Sequence, residues 1–137
     1  MLDRNIREEA PVAENIEIVR DFIALWGTRD LEAILAALAP DCVYHNMPWE
    51  PLVGHDAIRQ GLAIFIGDAA EIDWRVYHSA QGVDGAVMTE RLDRFLIKGK
   101  WLEFPVMGIF ELRDGLITHW RDYFDSAQVQ AAMATVT

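Results

Sequence analysis

Apolar residues first recur at Ile16, Val19, Phe22, Ile23 and Trp26, the three-and-four spacing of one helix face. The spacing predicts a helix over 13–26, with Gly27 as its stop. Asp30 is placed to cap a second helix that carries Leu31, Ile34, Leu35 and Leu38 and ends at Pro40. A third helix, 57–66, follows Gly54 and Asp56 and carries Ile58, Leu62 and Phe65. A short strand, Cys42 to Asn46, precedes it and is closed by Met47-Pro48. After Gly67 the period drops to two. Strands are predicted over 71–80, 86–97, 101–112 and 116–124, and a short helix over 126–132 closes the chain. Asp84-Gly85, Lys98-Gly99-Lys100 and Asp114-Gly115 separate the strands, and all three are hairpin chemistry. Helices followed by a meander make the fold α+β. A curved, mostly antiparallel sheet wrapped around the N-terminal helices buries both sets of apolar faces. The result is a cone with an apolar cavity, suited to a small ligand.

Alternation assigns the polar residues to faces. In the last strand Trp120, Asp122 and Phe124 share one face, and His119, Arg121 and Tyr123 share the other. Arg91, Asp93 and Phe95 share a face of the 86–97 strand, and Cys42, Tyr44 and Asn46 share a face of the first. If these three faces all point inward, Tyr44, Asn46, Arg91, Asp93 and Asp122 converge on one cavity. The opposite assignment leaves Asp93 and Asp122 as solvated charges on the outside.

Inward, the set has defined chemistry. One guanidinium can fork to two carboxylates. Two carboxylates around one fixed positive charge carry a net charge of minus one, and an apolar pocket favours uptake of a proton. The pair then titrates together, holding one carboxylic acid and one carboxylate. That is a general acid and a general base in one small space. Tyr44 and Asn46 add a hydroxyl and an amide suited to hold a water. Addition of water to a strained neutral electrophile such as an epoxide needs nothing more. The residues alone leave the two aspartates interchangeable.

The bulk properties bound the alternatives. At 137 residues the chain is predicted as a single domain, 1–137, with a loose polar arm over 1–12. A hydrophobic content of 52% excludes a disordered acidic tail, despite a net charge of -10. That charge argues against nucleic acid and anionic membrane as partners. No apolar run is long enough to span a bilayer, and the charged N-terminus does not read as a secretory signal. The lone Cys42 precludes an internal disulfide, fits a reducing cytoplasm, and lacks an activating partner. The four histidines show no metal-ligand spacing, so no metal is expected.

YHNMP at 44–48, ERLDRF at 90–95, MGIFEL at 107–112 and DGLITHWRDYFD at 114–125 resemble the limonene-1,2-epoxide hydrolase family. The likeness runs from the first helix to Asp125. It implies an NTF2-like cone, usually a homodimer, that needs no cofactor and converts small apolar epoxides to vicinal diols. It also implies roles: Asp122 as base, Asp93 as acid, Arg91 as the bridge, and Tyr44 and Asn46 as positioners of water. Trp120, Phe124, Phe95, Phe104 and Val106 are expected as pocket walls. Trp49 and Trp74 are bulkier than the family's pattern leads one to expect. Rival readings are a ketosteroid isomerase-like or polyketide cyclase-like enzyme, or a non-catalytic binding module of the same shape.

Overall fold

The computed structural model describes residues 14–137, so the predicted arm at 1–12 lies outside the described residues. Among these residues six strands form one sheet: β1 (Leu38–Asn46), β2 (Leu52–Val53), β3 (Glu71–Gln81), β4 (Val87–Ile97), β5 (Lys100–Arg113) and β6 (Leu116–Tyr123). Their spatial order is β2-β1-β6-β5-β4-β3. From β6 to β3 every contact is antiparallel, as the meander predicts. β1 instead lies parallel to β6, so the sheet is mixed, curved and unclosed. Lys98-Gly99 and Asp114-Gly115 both take positive φ at both positions, between 51° and 80°, the turn whose twist matches that of its strands.

The helices α1 (Asn15–Leu25), α2 (Leu31–Ala36) and α3 (His55–Asp68) bury their apolar stripes in one cluster with the inner strand face. α4 (Ser126–Ala134) follows β6, and Asp125 caps it by accepting from the Ala127 N–H at 2.9 Å. Asp30 caps α2 as predicted, accepting from the Ala33 N–H at 3.1 Å. Gly27 does not end α1 in the expected way. The chain runs on through a 3₁₀ turn, Trp26–Thr28, and the left-handed residue is Arg29, at φ 57°. Its side chain is tied down, with Nη1 donating to Ala69 O at 3.1 Å.

Two further boundaries differ from expectation. Leu38 is not in α2 but opens β1, and Pro40 lies within that strand. The β1–β6 ladder is irregular between Leu38 and Val43, so Pro40, which has no N–H to give, sits where no ladder bond is required. α3 buries Ile66 with Ile58 and Leu62, and Phe65 is only half-buried. β2, two residues paired with Val43 and Tyr44, is too short to leave a period in the sequence.

Candidate active site

β4 carries the charge inward. Val87, Thr89, Arg91, Asp93, Phe95 and Ile97 alternate along it and are all buried. Arg91 Nε and Nη2 donate to Asp93 Oδ1 and Oδ2 at 3.0 and 2.8 Å. Nη1 and Nη2 donate to Asp122 Oδ1 and Oδ2 at 3.2 and 2.9 Å. The remaining Nη1 hydrogen goes to Thr89 Oγ1 at 3.0 Å, so all five guanidinium N–H groups have acceptors. The ring of Trp74 lies below the guanidinium, 5.0 Å from centroid to Cζ.

Arg91 reaches Asp122 on β6 by crossing β5, and the residue crossed is Gly108. Gly108 is opposite Thr89 on one side and Asp122 on the other. A Cβ at that position would strike Arg91 Nη1, stand 2.6 Å from Asp122 Oδ1 and 3.2 Å from Thr89 Oγ1. The bare backbone is what lets the salt bridge pass. On the far side β1 sets Asn46 opposite Asp122 and Tyr44 opposite Trp120. Tyr44 Oη donates to Asn46 Oδ1 at 3.1 Å. Trp120 stacks on Tyr44 at 4.0 Å and donates its Nε1–H to Asp122 Oδ1 at 3.0 Å.

The electrostatics follow from burial. Asp93 and Asp122 are 4% and 3% exposed and Arg91 1%, leaving one uncompensated negative charge. Desolvation pushes the Asp93 carboxyl up to about 6; Arg91 opposes this and the Asp122 charge adds to it. Burial works against the Arg91 charge, but the two carboxylates outweigh it and hold its pKa above the ordinary value. Burial and the Asp122 charge raise the Tyr44 phenol, which stays protonated. Burial, with help from Asp41, pushes the Cys42 thiol up to about 12, which makes it a poor nucleophile.

Tyr44, Asn46, Asp93 and Asp122 form the polar patch of a cavity of about 520 Å³ measured out to its mouth. Phe95, Phe104, Val106 and Phe124 line it, as do Trp26, Trp49, Leu62, Phe65 and Trp74. Trp120, expected as a wall, lies behind the cavity instead, fully buried and stacked between Tyr44 and Phe110. Period two gives it the inward face, but its ring is covered by those neighbours.

Residues 13–135 match the family described as limonene-1,2-epoxide hydrolase catalytic domain. The chain belongs to this family. Epoxide hydrolase EphG of Mycobacterium tuberculosis is 35% identical over 108 residues, covering 78% of this chain and 70% of that protein. A solved LEH-like epoxide hydrolase from M. tuberculosis superposes with a TM-score of 0.74 at 32% identity, covering 90% of this chain and 91% of the other. A protein of ketosteroid isomerase-like fold from Catenulispora acidiphila, solved with trimethylamine, reaches the same TM-score of 0.74 at 21% identity, covering 86% and 92%. That last likeness shows the fold alone, the NTF2-like cone.

In this member of the epoxide hydrolase family two neighbours of the ion cluster, and one hydrogen bond to it, are not predicted from the sequence. Thr89 stands two residues before Arg91 on the same face, so alternation was enough to find it. The need for Gly108 shows only once the β4–β5–β6 register is known. Trp120 was found, but its hydrogen bond was not. Together these groups hold two carboxyl groups and a fixed cation at one end of an apolar chamber. That arrangement can give a proton to an oxygen and take one from water in the same step.

Proposed function

We propose that this chain is a cofactor-independent epoxide hydrolase that adds water to small apolar epoxides and releases vicinal diols in one step. The observation that carries the reading is the buried Asp93–Arg91–Asp122 cluster at the end of an otherwise apolar cavity. Asp122 takes a proton from a water positioned by Tyr44 and Asn46, the tyrosine acting through the amide that it fixes. The water oxygen bonds to one epoxide carbon as the bond from that carbon to the ring oxygen breaks. The departing oxygen takes the proton of Asp93. Arg91 stays charged throughout and holds both carboxylates at fixed separation, so little reorganisation accompanies the shift of charge. One turnover leaves the proton on Asp122 and the charge on Asp93, and return of the proton resets the pair. The apolar walls favour a substrate without charge.

The test is hydrolysis of cyclohexene oxide or limonene oxide in water enriched in ¹⁸O. One labelled oxygen per diol is expected. An unlabelled product, or an isomerised carbonyl compound, would instead support the isomerase-like reading that the fold also permits. We also propose a homodimer in the cytoplasm, joined through the outer sheet face. Tyr77, Met88, Met107 and Tyr123 are exposed on four neighbouring strands there, an apolar area suited to a second copy. Light scattering at a mass of one chain would remove that proposal.

A further inference from the structure

Arg91 treats the two aspartates alike. Asp93 receives two of its N–H groups, from Nε and Nη2, and Asp122 receives two, from Nη1 and Nη2. A mechanism that needs Asp122 charged and Asp93 protonated therefore needs something else to break the tie. The groups facing Asp122 can be taken element by element. β5 offers only Gly108, which has no side chain. β4 offers Arg91, Asp93 and Thr89, whose Oγ1 accepts from Arg91 Nη1 and makes no hydrogen bond to either aspartate. β1 offers Tyr44 and Asn46, and the Tyr44 hydroxyl is already spent on Asn46 Oδ1. β6 itself offers Trp120, whose Nε1–H lies 3.0 Å from Asp122 Oδ1. This indole N–H is the one donor that serves one aspartate and not the other among the described residues.

We infer that Trp120 is a positioning residue that assigns the shared proton: its N–H holds the charge on Asp122 and so leaves the proton on Asp93. The inference rests on the epoxide hydrolase reading for its consequence, but not for its physical content. Both microstates carry one proton and the same net charge. They differ in whether the indole donates to a carboxylate or to a neutral carboxyl group. A hydrogen bond to an ionised acceptor is about twice as strong as one between neutral partners, which biases the two states roughly five- to tenfold. Trp120 is wholly buried, so no solvent molecule can take over its donation. The same bond leaves Asp122 Oδ1 with two donors, Arg91 Nη1 and Trp120 Nε1, and Oδ2 with one, Arg91 Nη2. Oδ2 is thus the oxygen with lone-pair capacity to spare, and the one that accepts the proton of water.

The direction of the effect is fixed. Removing the N–H destabilises ionised Asp122 and makes it a stronger proton acceptor. The proton then spends more time on the wrong residue at every pH. Both titrations of the pair move to higher pH, and the productive fraction falls.

Two variants test this. Trp120→Phe keeps an aromatic ring against Tyr44 but changes its size. Replacement of Trp120 by 3-benzothienylalanine keeps the bicyclic shape and exchanges only the N–H for sulfur. The readouts are the pH profile of kcat and the ¹³C shifts of the Asp93 and Asp122 carboxyl carbons in the unliganded protein. The benzothienyl form is expected to lose about twofold in kcat with little change in KM, because an unbiased pair is productive about half the time, and to move both limbs of the profile to higher pH. The carboxyl titration, which needs no turnover, should pass from mainly Asp93 in the native protein to both aspartates in the variant. Unmoved limbs and an unchanged carboxyl titration would reduce Trp120 to packing and overturn the inference. A native protein that shows the carboxyl asymmetry but opens no epoxide would overturn the proposed function and leave the inference standing.

Discussion

β4 displays the same ionic arrangement twice, once on each face of the sheet. On the inner face Arg91 joins Asp93 and Asp122. On the outer face, three residues on, Arg94 Nε donates to Glu103 at 2.9 Å and Nη1 to Asp73 at 2.6 Å. Both clusters put two carboxylates around one guanidinium, and both show short, well-formed bonds. They differ in water. The Asp73 and Glu103 side chains keep 43% and 50% of their exposure, whereas those of Asp93 and Asp122 keep 6% and 4%. Arg75 also reaches Asp73, at 2.9 Å, so the outer cluster is neutral, while the inner one carries an unmatched negative charge. Salt bridging holds the Asp73 carboxyl below its usual range even though desolvation pulls the other way. In the interior desolvation wins, and the Asp93 carboxyl rises to about 6. Similar partners therefore give a solvated, neutral brace on one face and a carboxyl with a raised pKa on the other, with burial and the unmatched charge acting in the same direction.

The sharpest way to break this comparison is to neutralise one carboxylate on each face. Asp122→Asn and Asp93→Asn should each lower kcat/KM for cyclohexene oxide by about 10³-fold, the size of a lost general acid or base. Asp73→Asn, on the outer face, should stay within about twofold of the native rate, since exposed pairs contribute little. Circular dichroism should show all three folded. An Asp73 variant as damaged as the inner two would mean that burial is not what separates the clusters.

The next effect in size isolates the route between strands. Gly108→Ala puts a methyl group where Arg91 crosses to Asp122. Either the guanidinium or β6 must shift. We expect a loss of about 10²-fold in kcat from misplacement alone and about 1–3 kcal/mol of stability, read from urea midpoints. Gly99→Ala meets no neighbour within 4 Å but sits at φ 76°, so it should affect stability and leave kcat unchanged.

Smaller again is the response to pH, and its sign follows from the direction of the Asp93 shift. The acid must hold its proton to work, so kcat/KM should fall about tenfold per pH unit above about 6. The folded state keeps this proton to higher pH than an unfolded aspartate, which titrates near ~3.9. Asp93 therefore contributes most to stability at low pH, and that contribution is lost as pH rises through about 6. Urea midpoints on either side of that window should show the decline, and Asp93→Asn should flatten it. An acid titrating in the ordinary carboxylate range would place the inner cluster with the outer one.

How much of this was legible in the chain divides along the same line. The inward face of β4 was readable because Arg91, Asp93 and Phe95 alternate with Arg94 and Glu90, and period two needs no partner to be seen. Asp30 as a cap and Asp114-Gly115 as a turn were readable because their chemistry is local. The parallel neighbour of β6 was not, since β1 lies some seventy residues earlier in the chain and periodicity carries no register. For the same reason the crossing at Gly108 is invisible in the sequence, and Trp120 is expected as a wall although its ring is covered by Tyr44 and Phe110. Asp93 and Asp122 can be assigned a face from sequence, and the family resemblance implies a role for each, but the indole N–H on Asp122 shows only in the structure.

The smallest effect tests the part of the inner cluster that is not ionic. Tyr44→Phe removes a hydroxyl that donates to Asn46 Oδ1 at 3.1 Å but leaves the stack on Trp120 in place. Asn46 then loses the partner that fixes which end of its amide faces the cavity. A misoriented amide still permits water to reach Asp122, so the chemistry survives with poorer alignment. The expected loss in kcat is about three- to tenfold, less than for either aspartate, with little change in KM. The exposed Tyr123, on the outer face of β6, supplies the control: Tyr123→Phe should leave kcat unchanged. If Tyr44→Phe matched Asp122→Asn in severity, the hydroxyl would be acting on the reacting atoms directly and not through Asn46.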